Sequence, residues 1–268
     1  MKLYDAHNHL QDDHLLGRVD EFVKQTEQVG IARMVVNGAC EADWGAVKTL
    51  SERFPCVLPS FGYHPWFVQE ATPTWKENLV RYLDSTRGSV IGEIGLDRWK
   101  EPMNIEAQEP IFTGQLALAA ERNLPASIHC LKAWGILQNI LENHPRPKCG
   151  FLLHSYGGSI DLIKPMVRLG AYFSFPGYYL HERKERQRET FRHIPLDRLL
   201  VETDAPAQPL PESKRAFQLV DPTSGEAFNH PANLRVIYEG LAETLGMGVD
   251  ALAVQVEANF NRLFLRDA

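Results

Sequence analysis

The chain has 268 residues, with 28 Lys+Arg against 34 Asp+Glu for a formal charge of −6, and 44% apolar and 23% charged residues. That is ordinary globular composition, and the net negative charge excludes a broad phosphate-neutralising surface. No apolar run approaches the roughly 18 residues of a membrane span, and Met1–Asp5 leads straight into charged sequence, so neither a membrane segment nor a targeting leader is expected. The cysteines Cys40, Cys56, Cys130 and Cys149 lack CxxC spacing and are too sparse for a disulfide framework, which fits a reducing, cytoplasmic setting.

In chain order, eight β-rich runs recur: KLYDAHNH, ARMVVNG, VLPSFGYHP, SVIGEIGLD, LPASIHC, GFLLHSY, AYFSFPG and RLLVETDAP. Stretches with helical spacing separate them, for example Ile105–Arg122, Ala133–Glu142 and Pro165–Leu169. Runs such as MVV, FLL and LLV are apolar without alternation, as parallel strands covered on both faces require. The spacing between strand ends, about 20 to 36 residues, suits a (β/α)8 TIM-type barrel. The rival, an open doubly wound sheet, would carry a glycine-rich phosphate loop after an early strand, and IGEIG has the wrong spacing for one. With no low-complexity linker and no shift in composition, residues 1–268 read as a single domain.

The polar residues at strand ends carry the chemistry. His7 and His9 are two apart, so a pleated strand sends both imidazoles to one face. Glu93 in VIGEIGLD, His129 in SIHC, His154 in LLHSY and Asp204 in VETDAP end other strands. A barrel gathers its strand ends on one rim, where active sites are built, so these distant residues are expected to meet. A histidine or carboxylate inside an apolar strand is costly unless paired or metal-bound. One satisfied core histidine is ordinary; six such residues point to metal.

Six ligands exceed what one tetrahedral zinc takes, so two divalent ions about 3.5–4 Å apart are the economical expectation. Glu93, on a middle strand, is the natural bridge, with His7, His9 and Asp204 on one side and His129 and His154 on the other. Two divalent ions, two carboxylates and a bridging hydroxide sum to about +1, suited to an anionic phosphodiester. Coordination moves the pKa of water from 15.7 to about 7, and Asp204 is placed to take the proton. Imidazole favours zinc whereas carboxylates admit magnesium or manganese, so ligand type does not choose the ion.

The motifs DAHNH, FGYHP, IGEIGLD, QEPIFTGQLALA, PASIHC, HSYGG, LLVETDAP and ANFNRLF, in order from Asp5 to Phe264, together resemble the TatD family of metal-dependent deoxyribonucleases. HxH alone is shared across the wider amidohydrolase superfamily; IGEIGLD combined with VETDAP is more specific. The resemblance implies a TIM-type barrel holding two or more divalent ions and cleaving phosphodiester bonds, typically trimming DNA from the 3′ end. It assigns His7, His9, Glu93, His129, His154 and Asp204 as ligands and His64 of GYHP as a contact to substrate phosphate. This sequence departs from the family pattern where an arginine is usual in IHxR: Leu131 stands there, with Lys132 one place later as a candidate point charge for a phosphate. Arg98 replaces the tyrosine after GLD, and HSYGG replaces HCFSG.

The alternative is an amidohydrolase-type ester or amide hydrolase, such as an aminoacyl-tRNA deacylase, and a third class is a non-catalytic metal-binding barrel. Asp97, four residues past Glu93, is read either as orienting a ligand histidine or as capping the next helix. The long stretch Ala207–Asn229, with Lys214 and Arg215, is either functional or a surface excursion. The interleaved charges of His181–Arg198 predict an exposed helix, and Tyr172, Phe173, Phe175, Tyr178 and Tyr179 are core or base-stacking residues.

Overall fold

The computed structural model describes residues 1–101 and 104–265. Eight strands, β1 (Leu3–Asn8), β2 (Ile31–Asn37), β3 (Val57–Phe61), β4 (Val90–Asp97), β5 (Ala126–Leu131), β6 (Phe151–Leu153), β7 (Ala171–Pro176) and β8 (Leu199–Glu202), pair in sequence order. Every pairing is parallel. The main-chain N–H of Asp204 donates to the His7 carbonyl at 2.9 Å and that of His9 to the Ala205 carbonyl at 2.8 Å, joining the last strand to the first. The expected (β/α)8 barrel is what the chain forms.

Helices pack outside: α1 (Asp13–Leu16), α2 (Val19–Gln28), α3 (Glu41–Arg53), α4 (Trp75–Ser85), α5 (Ile105–Arg122), α6 (Trp134–Asn143), α7 (Ile160–Leu169), α8 (Glu185–Phe191), α9 (Leu234–Leu245) and α10 (Val249–Phe264). They leave the continuous apolar strands buried on both faces, as Val35, Val36, Leu152 and Val201 show. Asn104 caps α5, its side chain accepting from the Glu106 N–H at 2.8 Å, and Asn123 ends the helix in the left-handed region at φ 49°. Helix α7 begins at Ile160, ahead of the expected Pro165, which therefore sits inside the helix. It starts after Ser159 and tolerates the missing N–H of Pro165.

Several residues expected on strands lie just past them. His9 follows β1, His154 follows β6 and Asp204 follows β8 by two positions. His64 is three beyond β3 and forms the N-cap of a 3-10 turn, Pro65–Glu70. Side chains on such connections can turn toward the barrel axis, which a strand's alternation would forbid to half of them.

The long segment after β8 holds a two-stranded antiparallel hairpin, β9 (Leu219–Val220) with β10 (Ala227–Phe228). Its Lys214 lines a depression of about 340 Å³ on the barrel flank with Arg188 and Arg192. Of His181–Arg198, expected as an exposed helix, only Glu185–Phe191 forms α8; 3-10 turns flank it, Thr190 and Phe191 are buried, and Arg192 pairs with Glu189 at 2.6 Å. Tyr172, Phe173 and Phe175 are buried core. Among the described residues, no helix is long and apolar enough to cross a membrane.

Candidate metal centre

The barrel mouth opens into a cavity of about 860 Å³ whose floor is formed by His9, His64, Glu93, His129, His154 and Asp204. Glu93 stands at its centre with its two oxygens divided. Oε2 lies 3.3 Å from His7 Nε2 and 3.2 Å from His9 Nε2; Oε1 lies 3.1 Å from His129 Nδ1, 2.9 Å from His154 Nε2 and 3.4 Å from His64 Nε2. Asp204 Oδ1 joins the first group, 3.7 Å from His7 Nε2 and 3.6 Å from His9 Nε2. All six residues expected as ligands thus lie together around Glu93; the His/carboxylate clusters there are His7, His9 and Asp204, then His7, His154 and Glu202, then His64, Glu93 and His129.

The glycines of IGEIG make this approach possible. Gly92 and Gly95 have φ of +152° and +149°, a region that L side chains rarely adopt. A Cβ on Gly92 would stand 2.7 Å from that of Ser127, and one on Gly95 would overlap the His129 carbonyl. The motif brings β4 close to β5; it does not cradle phosphate.

Helix α5 fixes the approach from outside. Gln108 Oε1 accepts from the Asp97 N–H at 2.8 Å while its Nε2 donates to the Asp97 carbonyl at 2.9 Å. Gln115 grips the backbone of Tyr63 in the same two-ended way, at 2.7 and 3.2 Å, and so anchors the residue before His64. Buried amides satisfied at both ends lose little on burial and hold their partners in one place.

The outer ring nitrogens determine which way the inner ones face. His9 Nδ1 lies 2.8 Å from the Asn37 carbonyl, which can only accept, so Nδ1 carries the proton and Nε2 turns a lone pair inward. His129 Nε2 lies 3.0 Å from Asp97 Oδ2 and donates to it, leaving Nδ1 inward. His7 Nδ1 faces Ser127 Oγ at 2.9 Å. Inward nitrogens then approach each other, His7 Nε2 to His9 Nε2 at 3.2 Å and His129 Nδ1 to His154 Nε2 at 3.1 Å, beside a carboxylate. Lone pairs aimed at one another and at a buried anion repel unless positive charge lies among them.

The titration behaviour expresses the same demand. Burial is the largest single influence on each of these groups; it pushes His7 below its ordinary value and His64 down to about 4. It also opposes charge on His9, His129 and His154, yet the neighbouring carboxylates override it, lifting His9 to about 9, raising His129 and raising His154 far. Glu93 stays ionised well below the carboxylate range despite its burial, held by the imidazoles of His64, His154 and His7. Divalent cations supply that positive charge without protons, and the imidazole and carboxylate donors fit them.

Two expected roles change in detail. Asp97 orients His129 and accepts as well from Trp66 Nε1 at 2.8 Å and from the N–H groups of Trp99 and Lys100 at 2.6 and 3.2 Å; it caps no helix. Lys132 lines the cavity, is exposed and has φ 57°, whereas Arg98 is absent from the lining. Lys214 is absent from it too. Lys184 and the aromatic residues Trp66, Phe67, Trp99 and Tyr178 line the walls.

Sequence reasoning passed over three residues, two of them fully buried and the third partly. Asp5 accepts from the Thr203 N–H at 2.9 Å and from Thr203 Oγ1 at 2.6 Å, buttressing the seam between β1 and β8. Glu202 accepts from the Ser155 N–H at 2.7 Å, from Ser155 Oγ at 2.6 Å and from Ser174 Oγ, with His154 Nδ1 3.7 Å away. Its oxygens are occupied by these donors, so it anchors Ser155, the residue after His154, while His154 Nδ1 itself has no hydrogen-bond partner among the described residues. Gln208 is the third. The signal for two of them was alternation: Asp5–His7–His9 and Glu202–Asp204 share a face.

A family model described as TatD related DNase matches residues 4–265. The chain is 29% identical to the uncharacterized metal-dependent hydrolase YabD of Bacillus subtilis over 98% of each chain. It is 30% identical to the 3′-5′ ssDNA/RNA exonuclease TatD of Pantoea vagans, over 98% of this chain and 99% of the relative. Among solved structures, YjjV, a TatD homologue from Escherichia coli, superposes with a TM-score of 0.88 at 25% identity, covering 99% of this chain and 98% of that one. The chain belongs to the TatD family of metal-dependent hydrolases.

Proposed function

We propose that residues 1–268 act as one catalytic domain, a phosphodiesterase that holds two divalent ions (zinc, magnesium or manganese) and cleaves DNA ends or short oligonucleotides. The observation that carries this reading is the division of Glu93, whose Oε2 faces His7 and His9 and whose Oε1 faces His129 and His154. His7, His9 and Asp204 would hold one ion, His129 and His154 the other, with Glu93 between them. When bound, the ions lower the pKa of water from 15.7 to about 7 and polarise a phosphoryl oxygen.

The chain's own residues supply the rest. Asp204 Oδ1, facing the cluster, would accept the proton of the attacking water as its oxygen bonds to phosphorus, and would return it to the alkoxide released when the ester P–O bond breaks. His64 Nδ1 accepts from the Trp66 N–H at 3.2 Å, so the neutral ring presents Nε2–H inward as a donor to a non-bridging phosphate oxygen. Lys132 and Lys184 add positive charge on the β5 and β7 side of the cavity. Asp12, Asp13 and Asp43 line the β1 and β2 side, where they repel a continuing phosphodiester backbone. That asymmetry favours a strand end over a strand passing through. Trp66, Trp99 and Tyr178 offer aromatic faces, and base stacking on such faces contributes about 1–3 kcal/mol per base. The names of the relatives, exonucleases of single-stranded DNA and RNA among them, support the same class of substrate.

The test is a 5′-labelled single-stranded oligonucleotide incubated with metal-loaded protein, alongside carboxylic esters and aminoacyl-tRNA. Shortening of the oligonucleotide by wild type and its loss in Glu93→Gln are expected. No cleavage by wild type, equal cleavage by the variant, or turnover of the esters alone would overturn the reading.

A further inference from the structure

Among the described residues, five other than glycine have positive φ: Asn123, Lys132, Ser155, Asp204 and Gln208. Asn123 ends a helix. The other four line the cavity, and three of them, Ser155 (φ 44°), Asp204 (φ 52°) and Gln208 (φ 52°), are hydrogen-bonded to one another. Serine and glutamine gain nothing from this conformation, and such backbones persist only where surrounding contacts over-determine them.

Those contacts form one chain. Gln208 Nε2 lies 2.6 Å from Ser155 Oγ and 2.6 Å from Asp204 Oδ2. Ser155 Oγ lies 2.6 Å from Glu202 Oε1, and Glu202, taking donors from Ser155 and Ser174, is an ionised acceptor. The single hydroxyl proton of Ser155 is therefore committed to Glu202, and its oxygen must accept from Gln208. Asp204 Oδ2 also accepts. Both hydrogens of the Gln208 amide are thereby assigned, one to each neighbour, and its orientation has no freedom. Tyr179 Oη closes the arrangement by donating to the Ser155 carbonyl at 2.7 Å.

The geometry points to Gln208 as a positioning residue that occupies Asp204 Oδ2 and leaves Oδ1 as the oxygen directed at His7 and His9. It also links Asp204, in one half of the centre, to Ser155, the chain neighbour of His154 in the other half, which Glu202 anchors. Through Ser155 the two halves keep a fixed spacing by a route that does not pass through Glu93. This inference rests on reading Asp204 as a working carboxylate of the metal centre.

Three substitutions separate positioning from mere stability. Gln208→Met keeps most of the volume without an N–H donor, Gln208→Glu keeps the shape but only accepts, and Gln208→Gly relieves the positive φ. Each is compared with wild type for thermal midpoint, for Zn2+ and Mn2+ affinity of the metal-stripped protein by calorimetric titration, and for kcat and KM on a single-stranded oligonucleotide. Loss of a partner that orients a metal ligand typically costs 10–100-fold. We expect that loss in kcat and in affinity for all three variants, KM within about threefold, and a thermal midpoint for Gln208→Gly at or above wild type. Wild-type affinity and kcat in Gln208→Met, or losses that only follow the thermal midpoint, would overturn the inference. If wild-type protein binds the ions but cleaves no oligonucleotide, the phosphodiesterase reading fails while the affinities still decide the role of Gln208.

Discussion

Asp97 Oδ2 and His129 Nε2 lie 3.0 Å apart, and this contact turns Nδ1 of the ring toward Glu93, 3.1 Å away. Asp97 is buried, yet its hydrogen bonds to His129, Trp99 and Trp66 outweigh burial and hold the carboxyl well below its ordinary range. All four groups facing it donate, so an amide in its place would set N–H against N–H on one side or the other. Asp97→Asn is therefore expected to weaken metal binding about 10–100-fold. Competition against a chelator measures it, and unchanged affinity would contradict the orienting role.

His64 is a neutral ring whose Nδ1 is engaged by the Trp66 N–H. Removing one preorganised donor aimed at a developing anion costs about 10²–10³ in kcat. His64→Ala is expected to lose that much on an oligonucleotide, and His64→Gln, which retains a donor, to recover part of it. Equal rates for wild type and His64→Ala would remove the phosphate contact.

Gly95 combines φ +149° with an approach to the His129 carbonyl that admits no Cβ. Positive-φ strain of about 1–3 kcal/mol adds to overlap costing a similar amount, so Gly95→Ala should lower the thermal midpoint by about 10 °C. Gly135 in α6 has open space around it, and Gly135→Ala should hold or raise the midpoint. Similar midpoints for the two variants in one calorimetric series would discard the packing account of IGEIG.

His230 is not among the cavity-lining residues; its ring is stacked on Phe217 at 5.0 Å and edge-on to Phe22 at 4.8 Å. Burial, with help from Arg18, pushes it down to about 4 from an unfolded value near 6.5. Above pH 6.5 both states are neutral and the residue has no effect. Between 6.5 and 4 the unfolded chain binds the proton first, so stability falls with pH, and below 4 the loss levels off. The loss is about 1–3 kcal/mol. His230→Asn, which retains a capping acceptor for the Ala232 N–H, should flatten the urea-unfolding curve against pH over that window. Parallel curves for the two proteins would refute the assignment.

The barrel and its six strand-end residues were legible because each rests on a local rule. Apolar runs without alternation mark doubly covered strands, and polar residues that end such runs must meet something. What stayed hidden depends on contacts between distant segments. The pairing of Gln108 with the Asp97 backbone spans α5 and β4, and nothing in QEPIFTGQLALA distinguishes that glutamine from a surface one. Gln208 looked like part of a loop, since only the positions of Ser155 and Asp204 reveal its task. His64 and His154 were placed on strands because hydrophobic runs do not show where pairing stops.

The seam that joins β8 to β1 runs through the backbones of His7, His9 and Asp204 and is buttressed by Asp5 and Thr203, 198 positions apart. Ribosomal synthesis delivers the first of these residues early and the last only after most of the polypeptide has emerged. Until then a growing chain has histidines with no aspartate to face them and a first strand with no neighbour on its open side. The ring therefore closes only once β8 has been made, and the same hydrogen bonds that close it bring Asp204 to His7 and His9.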